Sequence, residues 1–404
     1  LVLAMPAMAQ QAAPQAAQES AGQDHSVLSG EIVVTAQKRQ ENVQNVGIAI
    51  TAYSGDQLRA LGIQRSADVA SFSPGVSISG SLAGQNTQFT IRGVVQNDFN
   101  DIVEAPNAVY LDEGYIAIAQ GQSFAVFDID RVEVLKGPQG TLFGQNTTGG
   151  AINFITRKPA LEGTNGTLTA GYGNFNRVNF AGAVEFTPIV DKLGVRIAGT
   201  FVDSDPYVKN RLAAGNNTFA AFGLSGLNRN TGIQPGGTKT YGIRGSIRFK
   251  PSEGVDLMLK GYAAKSKGGT ETPLPTGQSK TSDNLNYLSN NFLLGPLFQA
   301  LNPAGLLPAG YSQSGRGLKL NEIEADSVGR AVTRAEGVVF TAKVDLADQV
   351  KLVSVTGYDS GLYSQLNTDC DATPLRGCSI GYNSTFNAFN QDMRIDYSGD
   401  RFKV

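Results

Sequence analysis

The segment from Phe127 to Pro159 constrains this chain more than any other part of it. It contains two apolar runs with strand character, Ile129–Leu135 and Ala151–Thr156, and the stretch between them holds five glycines. Glycine adopts positive φ angles and lets a second backbone approach closely, so the segment predicts a compact, tightly turned hairpin unit. A phosphate-binding loop would place a lysine followed by Ser or Thr after the glycines. Here Lys136 precedes the glycines, so the segment does not match that motif.

Beyond residue 159 the sequence changes to long runs in which apolar and polar residues alternate. In the run 239–250, one face carries Tyr241, Ile243, Ile247 and Phe249, and the other carries Arg244, Ser246, Arg248 and Lys250. Such alternation predicts β-strands. It does not by itself distinguish a soluble sandwich, whose apolar face meets a core, from a membrane barrel, whose apolar face meets lipid.

The lengths of the connections distinguish these two alternatives. We expect about eight strands, near residues 165–174, 177–187, 193–203, 239–250, 254–265, 337–347, 350–361 and 384–397. Short turns alternate with long insertions at 204–238, 266–336 and 362–383, apart from a short first connection near 174–176. Every long connection then falls at one end of the sheet, as in outer-membrane barrels with short periplasmic turns and long extracellular loops.

Composition argues against several classes of function. The formal net charge is −2, which gives no electrostatic footprint for nucleic-acid binding. The chain has a single histidine, His25, so neither a Ser–His or Cys–His catalytic pair nor a metal site is indicated. No apolar run reaches the roughly 18 residues that a membrane-spanning helix needs. We therefore expect no enzymatic activity, no cofactor and no bound metal.

The first residues have the pattern of an exported protein. Residues 1–9 are typical of the end of a signal peptide, because an apolar stretch is followed by the small-x-small pattern Ala7-Met8-Ala9. Residues 10–39 are expected to be a flexible polar leader. The β-prone run Glu31–Ala36, EIVVTA, interrupts this leader. It is either the first strand of the next domain or, as its flexible flanks favour, a peptide that pairs with the sheet edge of a partner.

The two cysteines of the chain, Cys370 and Cys378, are predicted to form a disulfide within an extracellular loop. Export brings them to an oxidising compartment, whereas a metal site would need further ligands. Closing so short a loop contributes about 2 kcal/mol locally. Mass spectrometry of a non-reduced digest should show the linked peptide, and two freely alkylated thiols in the exported protein would contradict the prediction.

The glycine-rich segment FDIDRVEVLKGPQGTLFGQNTTGGAINFITRKP resembles, nearly residue for residue, the end of the plug domain of TonB-dependent outer-membrane receptors. The motifs IRG at Ile91 and VYLDEGYI at Val109 resemble further plug motifs. The resemblance implies a mainly β protein, with a globular α/β plug at 40–159 and antiparallel transmembrane barrel strands at 160–404. Transporter barrels of this kind have 22 strands, so about eight strands imply an incomplete barrel.

The resemblance also implies roles for particular residues. The segment EIVVTA resembles the TonB box, the peptide that binds TonB. This implies TonB, together with ExbB and ExbD, as partners. The residues of the box are Glu31, Ile32, Val33, Val34, Thr35 and Ala36. Contacts between plug and barrel are implied for Arg92 and for Lys136, which stands where arginine is commoner and loses bidentate geometry. Ligand contacts are expected from polar plug loops, with the candidates Gln85, Asn86, Gln96, Asn97, Asp98, Asn100 and Asp101.

The function implied by the resemblance is TonB-dependent active transport of a scarce ligand across the outer membrane of a Gram-negative bacterium. A ferric siderophore or other iron chelate is the commonest substrate class in the family, and an oligosaccharide, cobalamin or a plant-derived compound stays open. The alternative from a different functional class is a passive porin-like or adhesive barrel, which would also lie in outer-membrane lipid. The plug and the EIVVTA segment argue against it, because a passive pore needs neither.

Overall fold

The computed structural model describes residues 33–39, 41–81, 86–96, 104–116, 122, 124–211, 233–269, 319, 321–323, 325, 328–369 and 379–399. The expected signal-peptide remnant, most of the leader and several predicted site residues lie outside this part of the chain. The site residues concerned are Glu31, Ile32, Gln85, Asn97, Asp98, Asn100, Asp101, Cys370 and Cys378.

The first half of the described chain forms a small mixed domain, here called the inner domain (described residues of 33–159). Its strands are β1 (Val33–Val34), β2 (Glu41–Asn42), β3 (Ile50–Ser54), β4 (Val76–Ser81), β5 (Asn86–Ile91), β6 (Asn107–Leu111), β7 (Gly114–Ile116), β8 (Ile129–Lys136) and β9 (Gly150–Thr156). Its helices are α1 (Gly55–Ala60), α2 (Gly140–Phe143) and two 3₁₀ helices, Val43–Asn45 and Ser66–Ser71.

The core of the inner domain is a five-stranded sheet in the order β3-β8-β9-β6-β7. Strands β8 and β9 pair antiparallel, as the glycine-rich segment predicts, and β9 is buried along its whole length. Gly150 at the start of β9 has a φ of 156°, and an added Cβ would collide with the carbonyl oxygen of Leu135. Only glycine fits this close approach of two strands, which explains one of the five glycines.

Sequence patterns predict a strand at Val46–Tyr53 and helices at Gln57–Leu61 and Ala67–Phe72, and the observed elements begin at other residues. Helix α1 is capped by Ser54, whose side chain accepts a hydrogen bond from the Gln57 amide at 3.2 Å, so the helix starts two residues before the predicted Gln57. The expected second helix is a 3₁₀ helix with Arg65 at its N-cap, because the Ser66 hydroxyl donates to the Gln122 carbonyl instead. The strand expected from residue 46 begins only at 50, after the first 3₁₀ helix.

The second half of the described chain forms one large antiparallel sheet, here called the wall sheet. Its eight strands are β10 (Thr164–Gly173), β11 (Arg177–Ile189), β12 (Leu193–Ser204), β14 (Thr238–Ser252), β15 (Val255–Gly269), β17 (Arg330–Ala347), β18 (Val350–Asp369) and β19 (Ser379–Tyr397). They pair in chain order, so the predicted set of about eight antiparallel strands is confirmed. Two short strands in its connections, β13 (Lys209–Asn210) and β16 (Glu322–Ile323), pair with each other in parallel.

Apolar and polar residues of the wall sheet lie on opposite faces. The apolar face points away from the inner domain and is exposed, as in Leu168 (80%) and Phe389 (69%). The polar face packs against the inner domain and is buried at Arg244 (4%) and Lys260 (5%). This arrangement is the reverse of a soluble sandwich, in which the apolar face would be covered. No helix in the described part of the chain is long and apolar enough to span a membrane.

The connections of the wall sheet distinguish its two ends. Residues 190–192, 253–254 and 348–349 form short connections at one end, here called the turn end. Residues 205–237, 270–329 and 370–378 connect strands at the other end, here called the loop end. In the loop-end insertions, β13 and β16 are accompanied by a small apolar cluster of Val208, Ile323, Ala325 and Val328. The Asn210 side chain bridges to Ala325, donating to its carbonyl at 2.8 Å and accepting from its amide at 3.2 Å.

Candidate functional site

The tight turn between β6 and β7 brings two carboxylates to the polar face of the wall sheet. Asp112 and Glu113 have φ angles of 53° and 68°, and the flanking Leu111 and Gly114 pair with each other. Aspartate tolerates this left-handed conformation better than most side chains, whereas glutamate has no such preference. A Cβ on Gly114 would lie 3.1 Å from Val339 of β17, so the absence of a side chain lets the turn approach the wall sheet.

Asp112 forms a buried ion pair with the wall sheet. Its Oδ1 lies 2.7 Å from Lys260 Nζ on β15, and both side chains are less than a tenth exposed. Thr156 donates to the same carboxylate from its amide at 2.9 Å and from its hydroxyl at 2.7 Å. Burial raises the pKa of Asp112, but the opposing charges of Lys260 and Arg244 outweigh it and hold this pKa below the ordinary value.

Glu113 contacts a second basic group of the wall sheet and also the N-terminal segment. Its Oε2 lies 3.2 Å from Arg394 on β19 and 3.4 Å from Lys38 Nζ. Lys38 Nζ in turn lies 3.3 Å from Asp392, so this one ammonium group joins the N-terminal segment to the turn and to β19. Burial raises the pKa of Glu113, while Lys38 and then Arg394 lower it, and the net pKa is below the ordinary value.

A third anchor lies between Asp128 of the inner domain and Arg196 of β12. The guanidinium binds both Asp128 oxygens, at 2.5 and 2.9 Å, and also donates to Glu185 at 2.8 Å. Next to it, Arg244 donates to the Phe127 carbonyl at 3.1 Å and lies 4.6 Å from the centre of the Phe127 ring. Bidentate pairs of this kind fix orientation as well as distance, so the anchors hold the inner domain in one register on the wall sheet.

The lowered pKa values of Asp112 and Glu113 predict that acid weakens this docking. A carboxylate with a depressed folded-state pKa stabilises the fold fully above its ordinary pKa, and the contribution is lost as pH falls through the folded value. With ordinary values of 3.8 and 4.5, the loss begins near pH 4.5 and continues below pH 3.8. Thermal unfolding of the detergent-solubilised protein should show this decline, and Asp112→Asn/Glu113→Gln should flatten it. An equally steep decline in the double variant would contradict the assignment.

The described part of the EIVVTA segment is docked on the inner domain. Val33 and Val34 pair antiparallel with Asn42 and Glu41, and the Thr35 amide donates to Glu133 at 2.7 Å. Val34 and Ala36 are buried, at 0% and 1% exposure. Residues 33–36, which the sequence places in a flexible leader, are therefore paired within this domain, because β2 and the buried Glu133 satisfy their backbone groups. Their role as a peptide that pairs with a partner stays a prediction.

The remaining predicted residues lie apart from these anchors. Arg92 is exposed, and the described residues provide no ion pair for it or for Lys136, so these two barrel contacts stay predictions. Burial and the neighbouring charge of Arg92 lower the pKa of Lys136. Asn86 begins β5, and Gln96 is half-buried in the segment after this strand. No cluster of His, Cys, Asp and Glu suited to a metal occurs among the described residues.

The residues that form these anchors are not evident from the sequence. Strand periodicity places Arg244 and Lys260 on an inward face, but it does not indicate which acidic residue each would meet. The useful signal was the pair Asp112-Glu113 between two apolar strands, since two adjacent carboxylates in a tight turn next to a buried sheet need cationic partners. A cavity of about 1230 Å³ also lies between residues 58–72 of the inner domain and the wall sheet.

Comparisons with known proteins match this architecture. A family model described as TonB-dependent Receptor Plug Domain matches residues 42–151. The pesticin receptor of Yersinia pestis is 31% identical over 144 residues, which cover 35% of this chain and 20% of the relative. The ferrichrome outer membrane transporter/phage receptor of Escherichia coli K12 is 22% identical over 303 residues, which cover 69% of this chain and 35% of the relative.

A solved structure shares the fold across both parts of the chain. The crystal structure of the ferric yersiniabactin uptake receptor from Yersinia pestis aligns with 87% of this chain at a TM-score of 0.64 and 17% sequence identity. The alignment covers 46% of that receptor. The chain thus spans less than half of the length of each of these relatives.

Proposed function

We propose, from the premise that this chain belongs to the TonB-dependent outer-membrane receptors, that it serves energy-coupled transport of a scarce ligand across the outer membrane. The observation that carries the proposal is the inner domain, the plug of this family, held on the polar face of the wall sheet by buried ion pairs. A domain fixed in this position obstructs passage along the wall sheet. Moving it requires work, which a passive pore would not need.

The proposed point where this work enters is the segment Glu31–Ala36. An extended peptide pairs through its main chain with the sheet edge of a partner, and such pairing carries tension along the chain. The proposed partner is TonB, driven by ExbB and ExbD. Since Val33 and Val34 already pair with β2, and Thr35 with Glu133, a partner strand must first displace these contacts.

The proposed ligand is a ferric siderophore or another iron chelate. The relatives named for ferrichrome and for ferric yersiniabactin support this class. We propose that the ligand binds first to the polar loops of the inner domain, at Gln85, Asn86, Gln96, Asn97, Asp98, Asn100 and Asp101. These loops contain no cation, so the first contact is made by hydrogen bonds to neutral groups of the ligand.

The direct test is uptake of radiolabelled iron chelates by iron-limited cells that produce the receptor. Accumulation should require both the receptor and TonB, while binding at the cell surface should require the receptor alone. The matched control is the same strain without TonB, which retains the outer membrane and every other receptor. Equal accumulation with and without TonB would contradict energy coupling, and accumulation of a labelled oligosaccharide instead would contradict the iron chelate.

A further inference from the structure

The cavity between the inner domain and the wall sheet has two distinct ends. At the loop end it reaches Tyr207, Gly236 and Gly237, where the strands enter their long insertions. Toward the turn end it reaches Asp128, whose carboxylate is held by Arg196. Its volume of about 1230 Å³ exceeds the roughly 300–1,000 Å³ of ordinary small-molecule pockets. The cavity can therefore accommodate a large ligand above a floor made by a plug–wall ion pair.

The wall-sheet side of this cavity is rich in neutral hydrogen-bonding groups. Inward-facing hydroxyl groups from four neighbouring strands line it, among them Thr200, Thr240, Ser266 and Thr333. Those of Thr240 and Ser266 lie 2.9 Å apart, so they form a continuous polar strip across β14 and β15. Hydroxyl groups both donate and accept, which suits a ligand with several hydroxyl or amide groups.

The charges around the cavity are paired, with one exception among the described residues. On the inner-domain side, Arg59 and Arg157 share Asp56, Arg65 pairs with Asp68 at 3.4 Å, and Asp128 is held by Arg196.

Among the described residues of the wall sheet, Arg177 at the start of β11 is the only charged one that lines the cavity. Arg177 donates to the neutral Gln64 side chain, and none of the ion pairs within the described part of the chain includes it. Its charge is therefore available to an anion, which the paired arginines are not.

We propose that this cavity is a second ligand compartment, reached from the loop end, that takes a ligand with an ionised acid group beside several hydroxyl or amide groups. Arg177 binds the acid group in exchange for Gln64, and the hydroxyl strip binds the neutral groups. This inference rests on the proposed transport, in which a ligand held in the compartment, above the Asp128–Arg196 floor, would be on its way across the membrane. Displacement of the inner domain would remove Asp128 from Arg196 and open the floor toward the turn end.

The test measures access and charge preference with a cysteine placed in the cavity. Val202 lines the cavity on β12 opposite Asn179, which lies two residues from Arg177 on the same face. In a Cys370→Ser/Cys378→Ser background, Val202→Cys is labelled on intact cells with an anionic and a cationic methanethiosulfonate of similar size. The ratio of the two rates, divided by the ratio for the denatured protein, reports the local potential and not the intrinsic reactivity of the thiol.

We expect labelling from outside, with the anionic reagent favoured. Adding Arg177→Gln should lower the rate ratio roughly fivefold, since a unit charge at about 8 Å acts in opposite directions on the two reagents. The matched control is Arg65→Gln/Asp68→Asn, which removes both charges of an ion pair that lines the same cavity and should leave the ratio nearly unchanged. Arg177→Lys should restore most of the preference, because it keeps the charge.

Two outcomes would overturn the proposal. One is a Val202→Cys thiol that reacts only after denaturation, which would mean that the compartment is closed to the outside. The other is a rate ratio that Arg177→Gln and Arg65→Gln/Asp68→Asn change equally. Labelling needs no energy input, so it should be the same in cells without TonB. A labelled compartment in cells that accumulate no ligand would contradict the proposed transport and leave the compartment intact.

Discussion

Val33→Pro is expected to reduce ligand accumulation to the level of cells that lack TonB, while binding at the cell surface stays intact. Proline removes the backbone N–H and fixes φ, so residue 33 can no longer donate to a partner strand. The Val33 side chain is 43% exposed and lies in a two-residue strand, so the inner domain keeps its core. Labelled-ligand binding and accumulation, measured in the same cells, separate the two effects.

The matched control is Val33→Ala, which keeps the N–H and removes only part of an exposed side chain. It should accumulate ligand nearly as the unchanged receptor does. Full accumulation in the proline variant would exclude strand pairing at this position as the route of energy input. Loss of surface binding as well would mean that residue 33 stabilises the ligand site and that its effect on uptake is indirect.

Asp112→Asn is expected to loosen the inner domain from the wall sheet by about 3–5 kcal/mol, because Lys260 is left buried without its counter-charge. The neutral amide keeps the size of the side chain, so the loss comes from charge and not from packing. Denaturant-induced release of the inner domain, followed by hydrogen exchange in β6 and β9, should occur at a lower denaturant concentration.

Two controls test the origin of this effect. Lys239→Met removes the exposed partner of Asp203, a pair of the same wall sheet, and should cost at most about 1 kcal/mol. The double variant Asp112→Asn/Lys260→Met removes both charges and should recover part of the loss. A double variant as unstable as Asp112→Asn alone would show that the buried charge of Lys260 is not the cause.

Strand periodicity predicts the wall sheet well because each strand has one exposed apolar face and one polar face against the inner domain. The predicted run 177–187 and the observed Arg177–Ile189 differ by two residues at one end. Agreement is poorer toward the loop end, where β17 starts at Arg330, seven residues before its predicted start. There the alternation becomes irregular, with Ala331, Thr333 and Ala335 on the inward face, although the backbone ladder continues.

The candidate site is harder to predict from sequence because its ion pairs join residues far apart in the chain. Asp112 and Lys260 are 148 positions apart (260 − 112), and only the docking of the inner domain brings them together. Local pattern does predict the hairpin of β8 and β9. It does not show that the EIVVTA segment folds back, because the decisive group, Glu133, is one of several charged residues of β8 and the pattern does not mark it as the buried one.

The pairing of β13 with β16 joins the described parts of two insertions of the wall sheet. Lys209–Asn210 and Glu322–Ile323 leave from different hairpins, yet the Asn210 side chain completes the hydrogen bonds of Ala325. A recombination event that exchanged only one insertion would leave the Ala325 groups unsatisfied and uncover Ile323, which is fully buried. Diversification of this outer surface is therefore expected to proceed by joint replacement of both segments, with residues 210 and 325 covarying.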